Sequence, residues 1–210
     1  PAAVSPEDAT ADVLPVWDVV EPLQIARAPA QPVLDIAVEL FDPGVPRDDH
    51  APTAAVRRLE SQLLAGDLRD TLARSNQWGV IRLVPEASPL VPVSIRTEIL
   101  HSDGRDLMLH VRAEDALGSL WFDQAFAYRQ GLQGQTGFAG IFNAVSNRLL
   151  AVWSAMSPDA QRNLLEAAAV AYAASLAPEA FSGMIDWSEN GWQLIRLPAA
   201  DDPMLGRVER

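Results

Sequence analysis

Between Val91 and Glu114 the chain alternates apolar and polar side chains with a period of two. Val91, Val93, Ile95, Thr97 and Ile99 take turns with Ser94, Arg96, Glu98 and Leu100. Leu107, Leu109, Val111 and Ala113 do the same with Met108, His110, Arg112 and Glu114. Successive strand residues point to opposite faces, so each run is a half-buried strand. Putting both apolar sets on one face pairs Ile99 with Leu109. That register needs an odd number of loop residues, and the three-residue loop Asp103–Arg105 meets it, predicting an antiparallel hairpin with a bulged turn. A second turn over 115–119 leads into Leu120–Arg129, where Leu120, Phe122, Phe126 and Tyr128 share the core face.

Upstream the period differs. Val33–Phe41 reads as a buried strand stopped by Asp42-Pro43-Gly44. Thr53 is placed to cap a helix running to about Ser75, with Val56, Leu59, Leu63, Leu64, Leu68 and Leu72 recurring at spacings of three and four as its inward stripe. Val80–Val84 forms the next strand. Strand, helix and strand in this order predict a crossover unit with parallel strands. Downstream, Phe138, Ile141, Phe142, Val145, Leu149, Val152 and Trp153 trace one helical stripe, and Ser157 followed by Pro158 starts a second helix ending near Leu176. Trp187 and Trp192 flank a short turn, a small hairpin in prospect. The predicted fold class is α/β (α+β): a mixed sheet from a strand-helix-strand unit plus an antiparallel three-strand meander, covered by helices, with a helical C-terminal part. Residues 33–210 make one domain, its sheet-forming part over 33–130, its helical part over 137–185 and an irregular segment over 186–210.

Residues 1–32 hold six of the sixteen prolines. They read as a Pro/Ala-rich leader whose apolar group Val13, Leu14, Val16, Trp17, Val19 and Val20 packs as an irregular arm on the domain.

Composition narrows the chemistry. All 16 basic residues are arginine, and lysine and cysteine are absent. This removes Schiff-base and Walker A lysine chemistry, thiol nucleophiles, disulfides, zinc-thiolate sites and iron–sulfur ligand sets. The lysine absence, beside abundant alanine and arginine, reads as genome base composition. A net charge of −12 with scattered arginines argues against nucleic acid and anionic membrane surfaces. No apolar run approaches the roughly 20 residues that span a bilayer. No signal-peptide pattern opens the chain, which begins at Pro1 and so leaves room for a removed targeting segment.

Candidate sites are few. Gly131, Gly134, Gly137 and Gly140 lie between a strand and a helix, where amides can hold a phosphate, but their spacing is not that of a dinucleotide fingerprint. Asp48, Asp49 and His50 offer oxygen and nitrogen ligands in a loop that reads mainly as solvated and polar. His101 and His110 fall in unrelated contexts, with no nucleophile elbow or zinc-protease helix. Trp121, with Asp123 on the outer face of its strand, is the aromatic best placed for a contact; Trp187 and Trp192 are candidates for stacking on sugar rings. No catalytic residue, cofactor or metal is expected.

Asp35-Ile36-Ala37-Val38 with Phe41-Asp42-Pro43-Gly44, Leu68-Arg69-Asp70-Thr71-Leu72 with Gln77-Trp78-Gly79-Val80, Leu100-His101-Ser102-Asp103-Gly104, and Leu197-Pro198-Ala199-Ala200-Asp201-Asp202-Pro203-Met204 resemble an uncharacterised family of proteobacterial lipoproteins over most of residues 33–210. The resemblance implies a lipidated cysteine before Pro1 and a chain continuing past Arg210. In element order alone the chain is similar to the N-terminal domain of TolB and to the envelope lipoproteins CsgG and LpoB. The expectation is a non-enzymatic periplasmic module, outer-membrane anchored through an N-terminal lipid, that binds or helps assemble other envelope proteins. The alternatives are a small-molecule-binding protein or hydrolase using the 42–52 loop or the 131–140 glycine loop, and a carbohydrate-binding module. An exposed apolar patch or free sheet edge would favour the partner module. A cleft joining His50 to His101, Asp103 or Arg129 would favour the enzyme, and two of the three tryptophans side by side in the open would favour carbohydrate.

Overall fold

The apolar run after residue 33 forms its strand, β1, at Ile36–Glu39. In a computed structural model the described residues are 22–29, 31–86, 91–130, 137–181, 183–188 and 191–196. The predicted leader arm with Val13–Val20, Gly131 and Gly134, and the segment beyond residue 196 lie outside them. β1 is shorter than the nine residues predicted because its ends bond irregularly. Gly79 N donates to Leu34 O at 2.8 Å, and Asp42 N donates to Thr97 O at 2.8 Å beyond a break in the ladder.

Helix α1 (Pro52–Ser75) leads to β2 (Ile81–Val84), followed by β3 (Val93–Ser102), β4 (Asp106–Asp115) and β5 (Leu120–Arg129). The sheet order is β2-β1-β3-β4-β5. β1 is parallel to β2, as the crossover predicts, with Ile36 opposite Ile81. It is also parallel to β3, with Ile36 opposite Val93. β3, β4 and β5 form the antiparallel meander, with Ile99 opposite Leu109. The loop is the predicted Asp103–Arg105, stabilised by Asp103 Oδ1, which accepts from Arg105 N at 2.9 Å and Asp106 N at 2.7 Å. The bulge falls at Leu100 in the strand rather than within the turn.

Helices α2 (Ala139–Ala155) and α3 (Pro158–Leu176) follow, then a hairpin of β6 (Ile185–Ser188) and β7 (Gly191–Leu194), with Trp187 opposite Trp192. As predicted, Ser157 caps α3, its Oγ accepting from Ala160 N at 3.2 Å, with proline next. Thr53 does not cap α1. The N-cap is Ala51 without a side-chain bond, because Pro52 takes the first turn, where its missing N–H costs nothing.

One hydrophobic core joins Ile36, Val38, Ile95, Ile99, Leu109 and Val111 of the sheet to Leu64, Leu68 and Leu72 of α1, Phe142, Leu149 and Trp153 of α2, and Leu164 of α3. At Gly140 α2 comes so near β5 that a Cβ would fall onto the Tyr128 ring, whereas a Cβ at Gly66 on α1 would meet open space. Gly140→Val is therefore expected to lower the unfolding free energy by about 1–3 kcal/mol through overpacking. Gly66→Ala is expected to raise it by roughly 0.5–1 kcal/mol through helix propensity. Urea titration of both variants measures the pair, and a similar effect from each would contradict this packing.

Candidate functional site

α1 is apolar on two nearly opposite sides. The predicted inward stripe divides: Leu64, Leu68 and Leu72 are buried, but Val56, Leu59 and Leu63 are 64%, 64% and 71% exposed. At 3.6 residues per turn, positions 56, 59 and 63 fall within one narrow arc that the buried leucines do not share. The inner face is completed instead by Ala54, Ser61, Ala65, Thr71 and Ser75, all buried. These small side chains permit close approach, and their hydroxyls are satisfied within the helix. Ser61 Oγ donates to Arg58 O at 2.9 Å and Ser75 Oγ to Leu72 O at 2.6 Å.

The rotation of α1 is fixed from both flanks. On one, Arg57 Nη2 donates to Ser102 O at 2.8 Å and pairs with Glu60 at 3.3 Å, and Ser102 Oγ donates to Glu60. On the other, Arg58 Nη2 donates to Pro46 O and Asp49 O, each at 2.7 Å. The C-terminal end is held by residues 22–29: Ala26 N donates to Ser75 O at 2.9 Å, and Asn76 Nδ2 donates to Ala26 O at 3.1 Å. Val56, Leu59 and Leu63 are thereby held outward. Burying such a side chain is worth about 1.5–3 kcal/mol, and a contiguous exposed set, unlike a lone leucine, marks an interaction surface.

The second surface is the sheet face opposite the helices. Arg96 stands opposite Arg112, and Arg112 opposite Asp123. The charges alternate into pairs: Arg96 Nη2 with Glu39 at 3.3 Å, Arg112 Nη1 with Asp123 at 3.0 Å, Arg112 Nη2 with Glu114 at 3.1 Å, and His110 Nε2 with Asp123 at 2.7 Å. A small polar pocket lined by Glu39, Ser94, Arg96, Arg112 and Glu114 has room for about one water. His110 has an acid partner, as a catalytic base would, but its cross-strand neighbours are Glu98 and Ala125, which offer no hydroxyl or thiol for a base to activate.

The predicted site residues are scattered. Trp121 is buried, 7% exposed, not outward beside Asp123. A register shift between Ala113 and Glu114 makes it the extra residue of a bulge and turns it inward, where it stacks on Trp153 with ring centroids 6.3 Å apart and 17° between planes. Its Nε1 donates to Asp115 Oδ2 at 3.0 Å. The same shift leaves Leu120, predicted inside, half exposed. Asp123 is spent on His110 and Arg112. Asp48 and His50 are exposed, and Asp49 Oδ1 accepts from Ala51 N at 2.9 Å, closing the loop ahead of α1. Trp187 and Trp192 are paired by backbone register in the β6–β7 hairpin. Among the described residues no three histidines and carboxylates gather as metal ligands, and no helix is long and apolar enough to cross a membrane.

Sequence reasoning included Val56, Leu59 and Leu63 but assigned them to the core. The signal that would have placed them outside is that six apolar residues over 56–72 occupy too wide an arc for one buried face. Comparison with protein families finds no family model that matches the chain, and comparison with characterised proteins finds no significant match.

At the β3–β4 turn two carboxylates are held in their charged form. Hydrogen bonding to Arg129, at 2.7 Å through both carboxylate oxygens, holds Asp106 below the usual carboxylate range. Backbone N–H groups of Asp106 and Arg105 do the same for Asp103. A carboxylate depressed in the folded state contributes stability above its unfolded pKa of about 3.9 and loses it as pH falls through the folded value. Asp106→Asn is thus expected to destabilise the protein at neutral pH and to flatten the decline in stability as pH falls below about 4. Urea unfolding across that range provides the check, and an unchanged acid limb would exclude the Asp106 contribution.

Proposed function

We propose that this chain is a non-enzymatic envelope protein, held in the periplasm at the outer membrane from its N-terminal side, that binds or helps assemble other envelope proteins through α1. The observation that carries the binding role is the outward stripe Val56, Leu59 and Leu63, fixed in place by arginine contacts on both flanks. A helix surface that forgoes this much apolar burial while its rotation is pinned fits recognition by a partner. The periplasmic placement rests on the lipoprotein resemblance of residues 33–210.

The hydrolase alternative draws less support. The loop before α1 spends its carbonyls on Arg58 and its Asp49 carboxylate on Ala51, so its polar groups serve the loop itself. The carbohydrate alternative loses Trp121, which stacks on Trp153 under α2.

Two measurements test the proposal together. Cells carrying the natural full-length gene are fractionated, and the protein is expected in the outer-membrane fraction; a cytoplasmic protein would overturn the placement. In the same cells a photo-crosslinking residue at position 59 is expected to yield a discrete adduct that the same residue at Glu98, on the polar sheet face, does not. Equal yields from both positions would overturn the α1 interface.

A further inference from the structure

The apolar stripe of α1 has a charged continuation. Asp67 lies one turn beyond Leu63 and three turns beyond Val56, in the same arc, and Asp70 follows one turn later. The two carboxylates differ. Asp70 is paired with Arg69 at 2.6 Å, while Asp67 makes no hydrogen bond or ion pair among the described residues. Partial burial, and then repulsion from Asp70, push the Asp67 carboxyl above the usual carboxylate range, with only a weaker opposing pull from Arg74. From Val56 to Asp67 the surface is about 17 Å long, three turns of helix.

This order of groups selects among occupants. A second copy would pair α1 with α1 about a two-fold axis, and setting Val56 against Leu63 puts Asp67 against Pro52, where there is no cation. Two copies also bring together two net charges of −12. A partner that covers the leucines and answers Asp67 must be apolar over two turns and cationic on the next. The acidic balance of the whole chain favours such a partner at longer range.

We infer that the α1 surface takes an amphipathic helix of another protein, with apolar residues at three- and four-residue spacing against Val56, Leu59 and Leu63 and an arginine or lysine beside Asp67. This rests on the binding role proposed above and names the chemistry of the partner.

The test uses the full chain and three synthetic helical probes of about eighteen residues. One carries leucines at the stated spacing with two arginines a turn beyond; its twin has glutamates in their place; the third is a scramble of the first. Fluorescence anisotropy is expected to show binding of the arginine probe, lost with Leu59→Glu or Leu63→Glu, whose positions are exposed and whose folding is verified by circular dichroism. Asp67→Asn is expected to weaken that probe roughly three- to fivefold, the scale of one exposed charge pair. Asp67→Arg is expected to reverse the preference between the arginine and glutamate probes. Equal binding of both probes, indifference of the preference to Asp67→Arg, or binding of none would overturn the inference. So would a sedimenting dimer of the wild type that Leu63→Glu makes monomeric, since the occupant would then be a second copy. Failure here with a position-59 adduct in cells leaves the binding role intact and assigns it to a partner of different chemistry. Loss of the adduct as well removes the binding role itself.

Discussion

Four residues of β1 join the two halves of the sheet. Ile36 pairs with Ile81 on one side and Val93 on the other, so the crossover unit and the antiparallel meander share a single strand. All four residues are buried, including Glu39, because a strand with neighbours on both edges and a helical layer on one face has little surface left. Parallel pairing with β2 demands a long return, and α1 is that return. Its rotation is set by the Arg57 and Arg58 contacts on its two flanks. The outward apolar stripe belongs to the same element that closes the crossover, so the candidate surface rides on a helix held at both flanks and at its C-terminal end.

The meander was legible because strand alternation has a period of two and admits only registers that keep the apolar set on one face. Ile99 opposite Leu109 follows from that parity. The two bulges were not legible. An extra residue at Leu100 or Trp121 leaves no mark in the alternation read from either strand alone, yet it shifts the register of every pair between it and the turn. At Trp121 this reversed the inferred direction of the largest side chain on β5.

Helix α1 exposes a different limit. Ranking side chains by hydrophobicity places Val56, Leu59 and Leu63 ahead of Ser61, Thr71 and Ser75, yet the second set is inside. Small hydroxyl side chains satisfied by their own helix act as small spacers, and closeness to the sheet outweighs their polarity. The candidate surface was therefore visible in the sequence as residues but not as a surface. The organisation of the loop holding Asp48, Asp49 and His50 was hidden for a converse reason, since sequence does not reveal that a neighbouring arginine gathers the loop around its own carbonyls.

The inward turn of Trp121 also gives the domain an internal optical gauge. Two indole rings lie nearly parallel at close range, one carried by the sheet and the other by α2. The near-ultraviolet circular dichroism of buried indoles depends on fixed, asymmetric packing around them, so the signal of this pair changes when α2 leaves β5. The seam between the helical layer and the sheet can thus be followed by light absorption alone, separately from the helix content and from any label.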